Sequence, residues 1–221
     1  VLDRILKDLD TKGVAAVVFD RLEPNPRSET VDIGARVARD EKVNLIIGLG
    51  GGSAMDAAKC IALSSAGTVS IWEHVMGRAK TSGPVPPLIQ VPTLAGTGSE
   101  GNQIAVVTEW QSHEKRVLMD PRLWAKVAII DPEVTVTVPS RQTASCGVDI
   151  FSHVVESYLM PETPLPMNDA IREAIMRMVV QFLPRALARS DDVEARAQLS
   201  WASTAAGCGW SRVGGSGGSM T

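Results

Sequence analysis

Gly50, Gly51 and Gly52, followed by Ser53, stand between an apolar run at 43–49 and an Ala-rich stretch ending near Leu63. Glycines at such a junction let the backbone turn tightly and leave amide hydrogens uncovered by any Cβ. At the positive end of a following helix, those amides form a site for a phosphate. Ser53 can cap the helix, and Asp56 three residues later can answer it as a capping box. The spacing departs from Gly-x-Gly-x-x-Gly: Gly48 and Gly50 fit, but Ser53 stands where the third glycine belongs. Alone, the loop also fits a tight strand-to-helix turn without a ligand.

A second loop strengthens the first. Leu88-Ile89-Gln90-Val91 predicts a short strand, and Pro92-Thr93-Leu94-Ala95-Gly96-Thr97-Gly98-Ser99-Glu100 follows it. Small residues there permit close backbone approach, and the hydroxyls of Thr93, Thr97 and Ser99 can hydrogen-bond a polar ligand. Two such loops, each at the end of an apolar strand, point to a dinucleotide. Asp20 ends a third apolar run, 14–19. A carboxylate there can accept hydrogen bonds from an adenosine ribose and would repel a 2′-phosphate, although it also suits a plain turn. Further on, Asp149 and His153 are four apart, so on a helix they share one face. Together they can bind iron or zinc, but they also fit an ordinary surface pair, and zinc-type sites need at least three protein ligands. Cys146 and Glu156 share that face; Cys146 reads as a small core residue. His74 reads as a surface or packing histidine, and His113 as solvent-exposed in a turn.

The elements that must position these residues alternate. Residues 1–10 predict an amphipathic helix stopped by Gly13; residues 14–19 a buried strand; residues 28–41 a helix; residues 43–49 a strand; and Ser53 onward a helix. This order predicts a parallel, doubly wound sheet, in which ligands gather at the carboxyl ends of strands. Residues 67–87 read as loop, 104–118 as a β-hairpin and 127–130 as a strand stopped by Asp131-Pro132. After Pro139 the pattern turns helical. Ser140, Asn168 and Asp191 or Asp192 are candidate caps for helices reaching about Tyr158, Arg189 and Trp210. A domain boundary is expected near residue 140.

Bulk properties narrow the classes. A chain of 221 residues can bury a sizeable core. A net charge of −3 with mixed signs gives no reason to expect nucleic acid or an anionic membrane surface. No apolar run approaches the roughly 20 residues that span a bilayer. Cys60, Cys146 and Cys208 lack metal-type spacing and read as reduced thiols of a cytoplasmic protein. Val1 opens in mid-helix and the sequence stops in Gly-Gly-Ser-Gly-Gly-Ser-Met-Thr, so it reads as a piece of a longer protein.

Several of these stretches, in order, resemble the iron-containing (group III) alcohol dehydrogenase family, whose fold is shared with the dehydroquinate synthases. Gly50-Gly51-Gly52-Ser53 with Asp56 and Ala58-Lys59 resembles its Gly-Gly-Gly-Ser-x-x-Asp-x-Ala-Lys motif. Pro92 to Glu100 resembles its Pro-Thr-Thr-Ala-Gly-Thr-Gly-Ser-Glu loop, with Leu94 replacing the second threonine. Phe19-Asp20 with Pro24-Asn25-Pro26 is similar to its first nucleotide-contacting turn, and Asp131-Pro132-Glu133 to its Asp-Pro-Glu. Gly147-x-Asp149 with His153 and Glu156 is similar to its metal-binding helix. The resemblance implies a dinucleotide-binding α/β domain at 1–139, with its first strand missing, and the start of an all-helical metal-binding domain at 140–221.

It further implies NAD as cofactor. Asp20 would hold the ribose, and the loop of Gly50, Gly51, Gly52 and Ser53 would take the pyrophosphate. Asp56 would lie near the nicotinamide; Thr93, Thr97 and Ser99 would line the cofactor; Lys115 would reach a ribose. Asp149 and His153 would be two of four ligands to iron or zinc, the other two being histidines that lie beyond this sequence. The implied activity is hydride transfer between NAD(H) and an alcohol or aldehyde, in a homodimer. Alternatives on the same fold are a maleylacetate reductase, a glycerol dehydrogenase or a dehydroquinate synthase-like lyase; Ser53 in place of lysine weighs against the glycerol type. A non-catalytic nucleotide-binding remnant is the reading from another class.

Overall fold

The computed structural model describes residues 1–160 and 165–209. The expectations for Trp210 and the glycine-serine tail lie outside them. The chain opens with α1 (Leu2–Thr11), then α2 (Ser28–Asp40), β1 (Ile46–Gly50), α3 (Gly52–Ser65), α4 (Ile71–Val75) and β2 (Leu88–Pro92). A hairpin of β3 (Ile104–Glu109) and β4 (Glu114–Met119) precedes the short β5 (Val127–Ala128). Three long helices follow: α5 (Ser140–Leu159), α6 (Pro166–Ala188) and α7 (Val193–Gly207).

The parallel sheet has the order β1-β2-β5, with Ile46 opposite Leu88 and Gly50 opposite Pro92. That register brings both glycine-rich loops out of the same sheet end, side by side. The hairpin forms a separate two-stranded antiparallel sheet, as its alternating sequence predicts. It is not laid on the parallel sheet; Ala105, Val107 and Leu118 instead join Val31, Ala57, Cys60, Ile61, Leu63 and Ile71 in one core between α2, α3 and β3–β4. Each such Leu or Ile, fully buried, contributes roughly 1.5–3 kcal/mol. A second core lies among the long helices, around Ile150, Val154, Ile175, Val179 and Ala202.

Four expectations fail locally. Residues 14–19 are extended but in no ladder, and Val14, Val17 and Val18 are exposed. A strand exists only through its neighbour, and β1 is paired on one side alone among the described residues. Residues 71–75 form a short helix inside a stretch read as loop, capped by Ser70 and held by Asp32, which accepts from the Ile71 amide at 2.8 Å. Ser140 and Asn168 are not caps: α5 and α6 begin after Pro139 and Leu165, with no side-chain cap bond. Asp192 does cap α7, accepting from the Ala195 amide.

Candidate functional site

The first loop turns at Gly50, whose φ of +146° and tight approach to Ala54 admit no side chain. Gly51 is the N-cap of α3, so Ser53 lies inside the first turn and makes no cap. The predicted capping box does not form. Ser53 Oγ instead accepts from the Asn25 amide at 3.2 Å, tying the turn after Asp20 to the glycine loop. The opening amides of α3, Gly52 and Ser53 among them, have no preceding helical carbonyl to reach, which makes this end receptive to an anion.

The second loop lies against the first. The Thr93 amide donates to Gly50 O at 2.9 Å. A Cβ on Gly52 would come within 2.6 Å of Thr97 Cγ2, and one on Gly51 within 3.1 Å of Leu94 Cδ2. Gly51 and Ser99 therefore sit on one side of the molecule. Leu94 packs on Gly51, so the hydroxyl missing at this position is replaced by an apolar contact.

Beneath the two loops runs a polar network. Ser99 Oγ donates to Asp56 Oδ1 at 2.6 Å, and Asp56 Oδ2 accepts from the Val106 amide at 2.9 Å. The fully buried Lys59 ammonium donates to Ser99 Oγ at 2.8 Å, Asn102 Oδ1 at 3.0 Å and Ile104 O at 2.6 Å. Burial raises the Asp56 carboxyl above its ordinary range, opposed by the charge of Lys59 and the hydrogen bonds from Ser99 and Val106. Burial also lowers Lys59 to about 8, in spite of Asp56. Asp56 and Ser99 are thus committed to each other, whereas Thr97 is exposed and Thr93 half-buried.

Helix α7 grips the second loop from the other side. Ser203 Oγ accepts from the amides of Gly96 at 2.8 Å and Gly98 at 3.2 Å, so these two amides are not available to a phosphate. Thr204 Oγ1 donates to Glu100 Oε1, and Asn102 Nδ2 to Gly207 O. Gly98 (φ +60°) and Gly207 cross backbone on backbone; a Cβ on Gly98 would meet Ser203 O at 2.4 Å.

Asp20 is exposed at the end of its extended segment. Lys115 Nζ donates to Asn25 Oδ1 at 2.9 Å, so hairpin, first turn and glycine loop meet around Asn25 and Ser53. Asp149 and His153 face each other on α5, with His153 Nε2 3.6 Å from Asp149 Oδ1 and both side chains partly exposed. Cys146, one turn before, is buried against Gly96. The pair offers one carboxylate and one imidazole on one face of α5. Among the described residues no group of three or more His, Cys, Asp or Glu could hold a metal. His74 is buried, with Nε2 3.0 Å from Thr81 Oγ1, and His113 is exposed beside Trp110.

Lys59, Asn102, Ser203 and Gly207 were not singled out as site residues from sequence. Lys59 alone carried a signal, a cation in an Ala-rich helical stretch one turn after Asp56.

A parallel sheet with two abutting glycine-rich loops, followed by a helical layer, defines a dinucleotide-type α/β protein with a helical extension. The family model described as "Iron-containing alcohol dehydrogenase" matches residues 1–132, and "Fe-containing alcohol dehydrogenase family, C-terminal" matches residues 143–217. The chain belongs to the iron-containing alcohol dehydrogenase family. It is 37% identical over 206 residues to NADH-dependent butanol dehydrogenase A of Clostridium acetobutylicum, covering 93% of this chain and 53% of that one. The crystal structure of NADH-dependent butanol dehydrogenase A from Thermotoga maritima superposes with a TM-score of 0.93 at 34% identity, over 98% of this chain and 54% of that one. A sulfoacetaldehyde reductase from Bifidobacterium kashiwanohense, solved with NAD+, gives a TM-score of 0.84 at 33% identity, over 94% and 55% of the two chains. The chain spans about half the length of the relatives it matches.

Proposed function

We propose that this chain is the NAD(H)-binding part of an oxidoreductase that passes a hydride between the cofactor and an alcohol or aldehyde. The observation that carries the reading is the abutment of the two loops, Thr97 on Gly52 and the Thr93 amide on Gly50 O. The amides of Gly51, Gly52 and Ser53, with Gly50 shaping the turn, would receive the pyrophosphate at the positive end of α3. Asp20 would accept from the adenosine ribose and disfavour a 2′-phosphate. Thr93, Thr97 and Lys115 would contact the cofactor directly, while Asp56 and Ser99 brace the loops. When bound, NAD supplies the hydride chemistry.

Asp149 and His153 would contribute two donors to a divalent ion, iron or zinc, that polarises a substrate oxygen. Two donors do not by themselves close such a site. The division at residues 139 and 140 separates the cofactor part from the metal-binding part in this reading. Similarity to enzymes named for butanol and 1,3-propanediol supports a small alcohol or aldehyde as substrate. A homodimer in the cytoplasm belongs to the same proposal; light scattering tests the first. No helix among the described residues is long and apolar enough to cross a membrane.

The test is a fluorescence titration with NADH and NADPH, alongside butanal reduction with and without added Fe²⁺ or Zn²⁺. Saturable NADH binding, tighter than NADPH, is expected; no NADH binding overturns the reading. The second reading is a nucleotide-binding remnant, which binding without turnover, even after iron or zinc is supplied to a full-length chain, would select.

A further inference from the structure

We propose that Gln90 is a positioning residue for the pyrophosphate of the dinucleotide: its side-chain amide, buried between β1 and α3, grips the first turn of α3 from the strand that carries the second loop. The proposal rests on the NAD(H) reading above. Gln90 is fully buried in β2, level with Gly48 of β1. Residues level with each other in adjacent strands turn toward the same face of a sheet. Gly48 has no side chain there, and the glutamine runs across it toward α3. Its Nε2 donates to the Met55 carbonyl at 3.1 Å. Met55 stands in the opening turn of α3, directly behind the amides of Gly52 and Ser53. Two residues past Gln90, β2 ends at Pro92, and the Thr93 amide donates to Gly50 O at 2.9 Å. One side chain thus joins the helix end that faces the phosphates to the strand that bears the other loop.

Stability alone does not account for a glutamine at this place. A helix carbonyl accepts from the amide four residues on, so Met55 O does not depend on Gln90 for a partner. Because that carbonyl is an acceptor, the amide nitrogen has to face it, and Oε1 is left turned to Gly48. Oε1 is buried and has no hydrogen-bond partner among the described residues. A buried acceptor left unpaired destabilises, so an apolar side chain of the same length would hold the fold at least as well. Gly48 makes the room: a Cβ there would run into Oε1 and stand 2.9 Å from Ala58 Cβ. The glutamine is therefore worse for the fold and better for the placement of α3, and these two effects can be measured apart.

The experiment is NADH titration by fluorescence, with thermal melts, on the wild-type chain, Gln90→Met and Gln90→Ala. Methionine removes the donor and the unpaired oxygen at nearly the same length, whereas alanine removes them and leaves a hole. Gln90→Met is expected to melt at or above the wild-type Tm, and Gln90→Ala below it. Both should nevertheless bind NADH about fivefold more weakly, because affinity follows the hydrogen bond to Met55 O. A merely structural glutamine would move Kd and Tm together. If Gln90→Ala does not fold, Gln90→Met decides alone. A Gln90→Met chain that binds as wild type, melts below it or fails to fold overturns the role of Gln90 and leaves the NAD(H) reading standing. So does a loss of affinity seen only in Gln90→Ala. A wild-type chain that binds no NADH takes down the NAD(H) reading and this proposal with it.

Discussion

At the scale of single residues, side chains placed by local rules and side chains recruited from afar behave differently. Asp192 follows the local rule for helix starts. It accepts from the Ala195 amide and pairs with Arg185 and Arg189 at 3.0 and 3.4 Å. The amide first, and the guanidinium of Arg185 after it, hold its carboxyl below the usual range. Its stabilisation is therefore complete above the ordinary carboxylate pKa and is lost as pH falls through the lower folded value. Asp192→Asn should lower Tm at pH 7, and the gap to wild type should narrow as a series of melts descends toward pH 3. Asp20 acts, in the proposed function, as an acceptor for the ribose hydroxyls and as a charge that repels a 2′-phosphate. Asp20→Gly should weaken NADH and improve NADPH, shifting their Kd ratio by about tenfold, or 1.4 kcal/mol; an unchanged ratio in paired titrations would remove Asp20 from the site.

At the scale of elements, the glycine loop works because β1 and β2 are in parallel register and end together. The two turns then have nowhere to go but against each other, and Gly52 against Thr97 is one of their contacts. Gly52→Ala introduces a Cβ 2.6 Å from Thr97 Cγ2, a separation that requires Thr97 to move from its place against the glycine loop. NADH affinity should drop at least about tenfold while circular dichroism stays at the wild-type level, because Gly52 is the first residue of α3 and alanine is a good helix former. Affinity unchanged in that variant would mean that the loops do not share a ligand. The first extended segment makes the contrary point. Residues 14–19 have the composition of a buried strand, yet 14–18 stay exposed and only Phe19 packs on the core, since ladder hydrogen bonds come from a partner and not from the segment.

At the scale of the whole molecule, the helical layer holds the second loop through α7. Gly98 and Gly207 let two backbones cross, and Ser203 satisfies two buried amides of the loop. Gly98→Ala must fit a side chain at φ +60° and 2.4 Å from Ser203 O. It should cost more than about 2 kcal/mol in urea unfolding. Ser203→Ala leaves both amides unpaired and should cost about 1–3 kcal/mol, with weaker NADH binding because the loop is freed. A Ser203→Ala chain as stable as wild type would show that water replaces the hydroxyl.

Much of this was legible before folding was considered. Hydrophobic runs, glycine clusters and the α-β alternation are local signals, and they located both loops, the hairpin, the three long helices and the Asp149–His153 pair. The family motifs read along the chain agreed with them. What distance along the chain concealed was decided by packing. Ser53 turned from a cap into a partner for Asn25, Asp56 from its partner in a capping box into a brace for Ser99, and Gly96 and Gly98 gave their amides to Ser203. Each of these bonds joins residues at least 28 positions apart. No periodicity records such pairings, because a buried polar group takes whichever partner the fold brings within hydrogen-bond reach.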